Sequence, residues 1–147
     1  MKNWSEIFSL STNSGVYAIS STLDLPDIEQ SAKVCGLALF YIDLSAVLTK
    51  DAFLKMVSRV LKFPDYFGMN WDAFEDCLTD LSWFSSGGYI LMIDNLQEFA
   101  QKVPRELKTA QNIFRSAAEF WREQGTPFFV LLVRENGKPK DNDTENR

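Results

Sequence analysis

The sequence predicts an α/β fold: a small parallel β-sheet packed with α-helices. Two observations lead there. Apolar runs at 37–44, 89–94 and 128–133 have the composition of strands, and runs without polar alternation belong to strands covered on both faces, as in parallel sheets. The segments between them carry apolar residues at helical spacing, and strands separated by helices join through right-handed crossovers. With 147 residues, 46% of them apolar, the chain is long enough to close a hydrophobic core.

The elements follow in order. Residues 1–14 are mixed and Ser-rich, with Trp4, Ile7, Phe8 and Leu10 as anchors. Residues 15–19 read as a short strand and 20–25 as a loop. A helix over 26–34 has Pro26 in its first turn and Gly36 as its stop, the usual placing of the two residues. After the strand at 37–44, Thr49 caps a helix over 50–62. Its Phe53, Leu54, Val57, Val60 and Leu61 make one apolar stripe. Pro64 ends that helix, and 65–69 form a loop in which Gly68 takes a conformation closed to bulkier residues. Asn70 caps the next helix, over 70–81. A turn at 85–88 leads into the strand at 89–94. Asn95 caps a short helix to 103, and Pro104 starts a longer one that stops at Gly125. That helix buries Leu107, Ala110, Phe114, Ala117 and Trp121, with Ile113 and Phe120 widening the face. The strand at 128–133 follows. We take 1–135 as one domain and 136–147, rich in Glu, Asn, Lys and Asp, as a disordered tail.

Composition removes several function classes. The net charge of -5 disfavours nucleic acid, whose phosphates need a basic surface, and favours basic ligands. Histidine is absent, which excludes His-based nucleophilic triads and the usual ligands of catalytic zinc. Cys35 and Cys77 suggest no disulfide framework and read as buried reduced thiols. No signal peptide or membrane-length apolar run is visible, so the expected location is the cytoplasm. Gly87-Gly88 matches no phosphate-binding loop, and Lys102, Arg105 and Lys108 read as a solvated helix face.

The stretch 63–80 is the most informative. It holds five carboxylates and no Lys or Arg. The helix starting at Asn70 buries Trp71, Phe74, Cys77, Leu78 and Leu81 on one face. Asp72, Glu75, Asp76 and Thr79 then share a solvent-facing stripe. Asp72 gains from the helix dipole at the N-terminus, whereas Asp76 lies a turn further in, with only Asp72 and Asp80 four residues away. Such a stripe fits an ordinary solvated face, a binding surface for a basic partner, or, from Asp72 and Asp76 together, a carboxylate dyad or divalent-cation site. Asp43 and Asp94 could add ligands at the strand ends, but fit turn-forming or helix-capping groups better. Tyr66 and Phe67 close over the core or serve as exposed anchors of the kind enriched in binding hot spots. Trp71 shares the core face.

Pro64, Tyr66, Gly68, Asn70, Asp72, Ala73, Asp76, Cys77, Leu78 and Thr79 together resemble the signature of the barstar family, intracellular inhibitors of secreted ribonucleases. The resemblance covers about 37–133 and leaves 1–36 as an N-terminal extension with room for an added strand and helix. It implies a barstar-like fold and no enzymatic activity; no cofactor and no metal are expected. The implied partner is a basic extracellular-type ribonuclease or related toxin, bound through Tyr66, Phe67, Gly68, Asn70, Asp72, Glu75, Asp76, Thr79 and Asp80. Tyr66 would pack on the enzyme's cleft, Asp72 would pair with a basic side chain, and Asp76 would take the place of a substrate phosphate. Gly68 and Asn70 would shape the loop. The sequence departs from the pattern at Glu75, where a Trp is expected, and at Met69, where an acid is expected. The closest counterpart of a further Glu in the last helix is Phe120, beside Glu119. Two other readings stand next to inhibition: an interaction module for another basic partner, and a carboxylate or metal-dependent enzyme.

Overall fold

The computed structural model describes residues 3–20, 24–65 and 67–134; the expectations for Tyr66 and for 136–147 fall outside them. Four strands, β1 (Gly15–Ser20), β2 (Ala38–Asp43), β3 (Tyr89–Asp94) and β4 (Phe128–Arg134), form one sheet in the order β1-β4-β3-β2. All three pairings are parallel. The helices are α1 (Trp4–Phe8), α2 (Leu25–Cys35), α3 (Lys50–Val60), α4 (Trp71–Leu78), α5 (Gln97–Lys102) and α6 (Pro104–Gln124). A 3-10 turn spans Ser11–Asn13.

Side chains alternate across a strand, so β3 and β4 feed two cores. Tyr89, Leu91, Ile93, Phe128 and Val130 point to one face, where Phe53, Leu54, Phe74, Leu78, Phe99 and Phe114 cover them. Ile90, Met92, Phe129, Leu131 and Val133 point to the other, under Trp4, Phe8, Ile28 and Ala32. The N-terminal residues thus contribute an edge strand and two helices that cover the second face.

Several local expectations shift. Residues 4–8 form a helix, capped by Asn3, whose Oδ1 accepts from Glu6 N at 3.2 Å. Leu10 is not an anchor; it is 56% exposed. The apolar run containing β2 is not covered on both faces: β2 lies at the sheet edge and Tyr41 faces solvent. Asn95 does not cap α5. It adopts φ 57°, and its amide donates to Asp43 Oδ1 at 2.8 Å, bracing the β2 and β3 ends instead. Gly68 does not hold the special backbone of the 65–69 loop; Met69 does, at φ 54°. What Gly68 supplies is space, since a Cβ there would lie 3.2 Å from Asn70 Nδ2.

Candidate functional site

The site grows out of the start of α4. Asn70 is extended, and its Oδ1 accepts from Ala73 N at 2.8 Å, satisfying one of the free N–H groups of the first turn. Its Nδ2 donates back to Gly68 O at 3.3 Å, which ties the loop to the cap. Phe74, Cys77 and Leu78 bury the inner face of the helix. The helix ends at Leu78 rather than 81. Thr79 Oγ1 donates back to the carbonyls of Glu75 and Asp76, at 2.9 and 3.3 Å, and Leu81 turns into the left-handed region at φ 51° while staying fully buried.

Two tryptophans hold α4 from its ends. Trp71, half-buried, packs on Phe53 and Phe74 with ring centroids 5.8 and 5.6 Å away. Its Nε1 donates to Glu106 Oε1 at 3.1 Å, and Lys50 Nζ lies 5.9 Å from its ring centroid. At the other end, Trp121 Nε1 on α6 donates to Leu78 O at 2.8 Å. These two bonds were not legible in the sequence.

Of the proposed contact residues, the structure brings Gly68, Asn70, Asp72, Asp76 and Asp80 to the surface, while Phe67, Glu75 and Thr79 are half-buried. Phe67 leans edge-on against Phe63, centroids 5.0 Å apart, so its ring is partly spent on the core. The acids act on their surroundings. Burial pushes the Cys77 thiol above its ordinary range, and the Asp80 and Asp76 charges push it further. Tyr89 is raised first by burial and then by Asp80. Of the two thiols only Cys77 is fully enclosed; Cys35 is half-buried, with Sγ 3.4 Å from Ser5 O.

The acids at the strand ends are engaged locally. Asp43 and Asp94 are register partners. Asp43 Oδ1 accepts from Asn95 Nδ2 and from Ser45 N at 3.0 Å, which hold its carboxyl below the ordinary value. Asp94 accepts from Tyr41 O–H and from Asn95 N, the latter at 2.8 Å. These are turn-forming roles. Among the described residues no group of three or more His, Cys, Asp or Glu side chains is placed to hold a metal ion. Among the same residues no helix is long and apolar enough to cross a membrane.

Comparison with known proteins gives one family. The family model described as Barstar (barnase inhibitor) matches residues 37–133. No curated protein matches. Among solved structures, the Aeropyrum Pernix ORC2 protein (ADPNP-ADP complexes) superimposes with a TM-score of 0.62 at 14% identity. The match covers 90% of this chain and 39% of that one, and at this identity it shows a shared fold alone.

Proposed function

The chain belongs to the barstar family, and from that premise we propose that it inhibits a basic ribonuclease by presenting α4 and the preceding loop to the enzyme's active site. The family is one of inhibitors, not of enzymes. The observation that carries the reading is the exposure of Asp72 and Asp76, one turn apart on a helix that is tied down at both ends. Carboxylates fixed in this way can occupy the cation-lined positions that a substrate's phosphates would take, and they need little reordering on binding. Asp72 pairs with a basic side chain of the partner and Asp76 stands in for a phosphate. Gly68 and Asn70 set the loop. Phe67, Glu75, Thr79 and Asp80 border the contact, and Tyr66 is assigned to it on the family motif alone.

Charge also speaks to the rate. An acidic face should speed encounter with a basic enzyme, and salt should slow it; the barnase–barstar pair is the standard measured case of such steering. Mixing the purified chain with small basic ribonucleases tests the reading: inhibition that Asp76→Ala removes supports it, and unimpaired nuclease activity in the presence of excess chain opposes it.

A second reading has an observation of its own. Glu75 and Met69 depart from the family string within the contact region, which favours a basic partner other than the family's usual enzyme. Asp76→Ala abolishing capture of a basic protein without nuclease activity would select this alternative.

A further inference from the structure

Among the described residues, the sheet ends on one side in an apolar strand with a free edge. β2 pairs with β3 alone and closes the sheet order. Ala38 N donates to Gly88 O at 3.0 Å and Leu44 N to Asp94 O at 2.9 Å. Even-numbered residues of β2 therefore address β3, and the alternation of the ladder turns the N–H and C=O groups of Leu39 and Tyr41 outward. Edges of this kind are usually blunted by lysine, proline or a bulge. β2 reads Ala-Leu-Phe-Tyr-Ile-Asp, with no Lys or Pro, and its register with β3 runs unbroken from Ala38 to Asp43. The opposite edge differs: the exposed residues of β1 are Ala18 and Ser20.

Two side chains beside the β2 edge lie on the face that α2 covers. Tyr41 is 45% exposed, and its hydroxyl donates to the buried Asp94, which fixes the ring before any partner arrives. Leu39, half-buried, lines a groove of about 540 Å³ between α2 and β2, together with Leu37 and with Pro26, Glu29, Gln30 and Lys33 of α2. The rim of the groove carries one acid and one base, Glu29 and Lys33, a turn apart and both exposed.

We propose that β2 is a self-association edge: two copies of the chain pair their β2 strands antiparallel about a two-fold axis and join their sheets into one. The occupant is a second copy because the edge is complementary to itself. Setting Leu39 opposite the partner's Tyr41 puts the axis at Phe40. Both outward residues then exchange N–H···O bonds, and each leucine meets a tyrosine ring. The next registers in either direction fit less well. One sets Asp43, already held by Asn95, opposite the partner's Leu39. The other calls on Leu37, whose N–H is spent on Ala32 O at 2.9 Å. The same symmetry runs the two α2 helices antiparallel on one side of the seam, where the acid of each can approach the base of the other. A foreign strand of a single charge sign would gain from only one of them. The surface is separate from the acidic stripe, since α4 packs in the core of the opposite face.

Sedimentation of the full chain tests this over a concentration series that reaches about 1 mM. A contact of one strand pair and its groove is small, so a dimer with a dissociation constant of about 10–100 µM is expected. Leu39→Pro deletes an N–H that points away from β3 and leaves the β2–β3 ladder whole. It should weaken dimerisation at least about tenfold, and Leu39→Ala, which keeps the N–H, should weaken it less. Should Leu39→Pro fail to fold, the wild type decides by itself. Between dilute and concentrated samples, hydrogen exchange at the Leu39 and Tyr41 amides should slow while exchange at Ala38, Phe40 and Ile42 holds steady. A chain still monomeric at the top of the series overturns the proposal and leaves the edge to a strand from another protein. A dimer that Leu39→Pro leaves intact, or whose Leu39 and Tyr41 amides exchange equally fast at both concentrations, overturns it too.

Discussion

Trp71 Nε1 donates to Glu106 Oε1 at 3.1 Å, joining the first turn of α4 to the first turn of α6 across 35 residues of chain. Asp72 follows Trp71 directly in the chain. Whatever fixes Trp71 also fixes where the first acid of the helix is displayed.

Glu106→Ala leaves the indole N–H without its acceptor in a half-buried setting. The expected loss is about 1 kcal/mol of stability, read as a lowered urea midpoint at unchanged slope. Glu106→Gln keeps an acceptor oxygen and should recover most of it. Equal loss in both variants would mean the bond contributes little.

Trp121→Phe retains a ring against Tyr89 and Phe128 but removes the donor to Leu78 O. A cost of about 1–2 kcal/mol is expected for the lost bond and the smaller ring. Amide exchange at 77–81 should rise more than in β3. Exchange that rises evenly over the whole chain would contradict a local role.

Asp76 and Asp72 should separate binding from folding. Asp76 has like charges four residues away on both sides, so Asp76→Asn should leave stability unchanged or raise it by about 0.3 kcal/mol. Asp72 lies in the first turn, where the helix dipole favours an acid, so Asp72→Asn should lower stability by about 0.5 kcal/mol. Chemical denaturation measures both. A loss of several kcal/mol from either change would assign that acid to folding rather than to display.

The Asn95 amide and the Ser45 N–H depress the Asp43 carboxyl below its ordinary value of 3.8. A depressed carboxyl stabilises the fold at pH above its unfolded value, and that contribution disappears as the pH falls through the folded value. Asn95→Ala should therefore be less stable than wild type near neutrality, with the difference shrinking as the pH falls below about 4. Stability curves of the two proteins that stay parallel down to pH 2 would rule the linkage out.

Much of the site was readable from local chemistry. Asn70 capping, the inner face Phe74, Cys77 and Leu78, and the outward acids follow from spacing within a dozen residues, where helix geometry leaves few choices. The central strands β3 and β4 were legible because both their faces are buried, which forces a continuous apolar run. β2 has an equally apolar run, yet it lies at the edge; strand order is a global property that no local window contains. Met69 in a left-handed conformation beside a glycine, and Asn95 bracing Asp43 rather than capping a helix, were missed because the residue type permits either use and the surroundings decide. The Trp71–Glu106 and Trp121–Leu78 bonds join residues 35 and 43 positions apart, and nothing in their immediate sequence marks them as partners.

The most direct test of the account is a titration of the chain against a panel of small basic ribonucleases, with wild type and Asp76→Ala compared at low and high salt. The account predicts one-to-one loss of nuclease activity with wild type. It also predicts binding at least about thirtyfold weaker for Asp76→Ala, the size of an interfacial hot spot, and slower association at high salt. Equal inhibition by wild type and Asp76→Ala, or full activity of every nuclease under excess wild type, would contradict it.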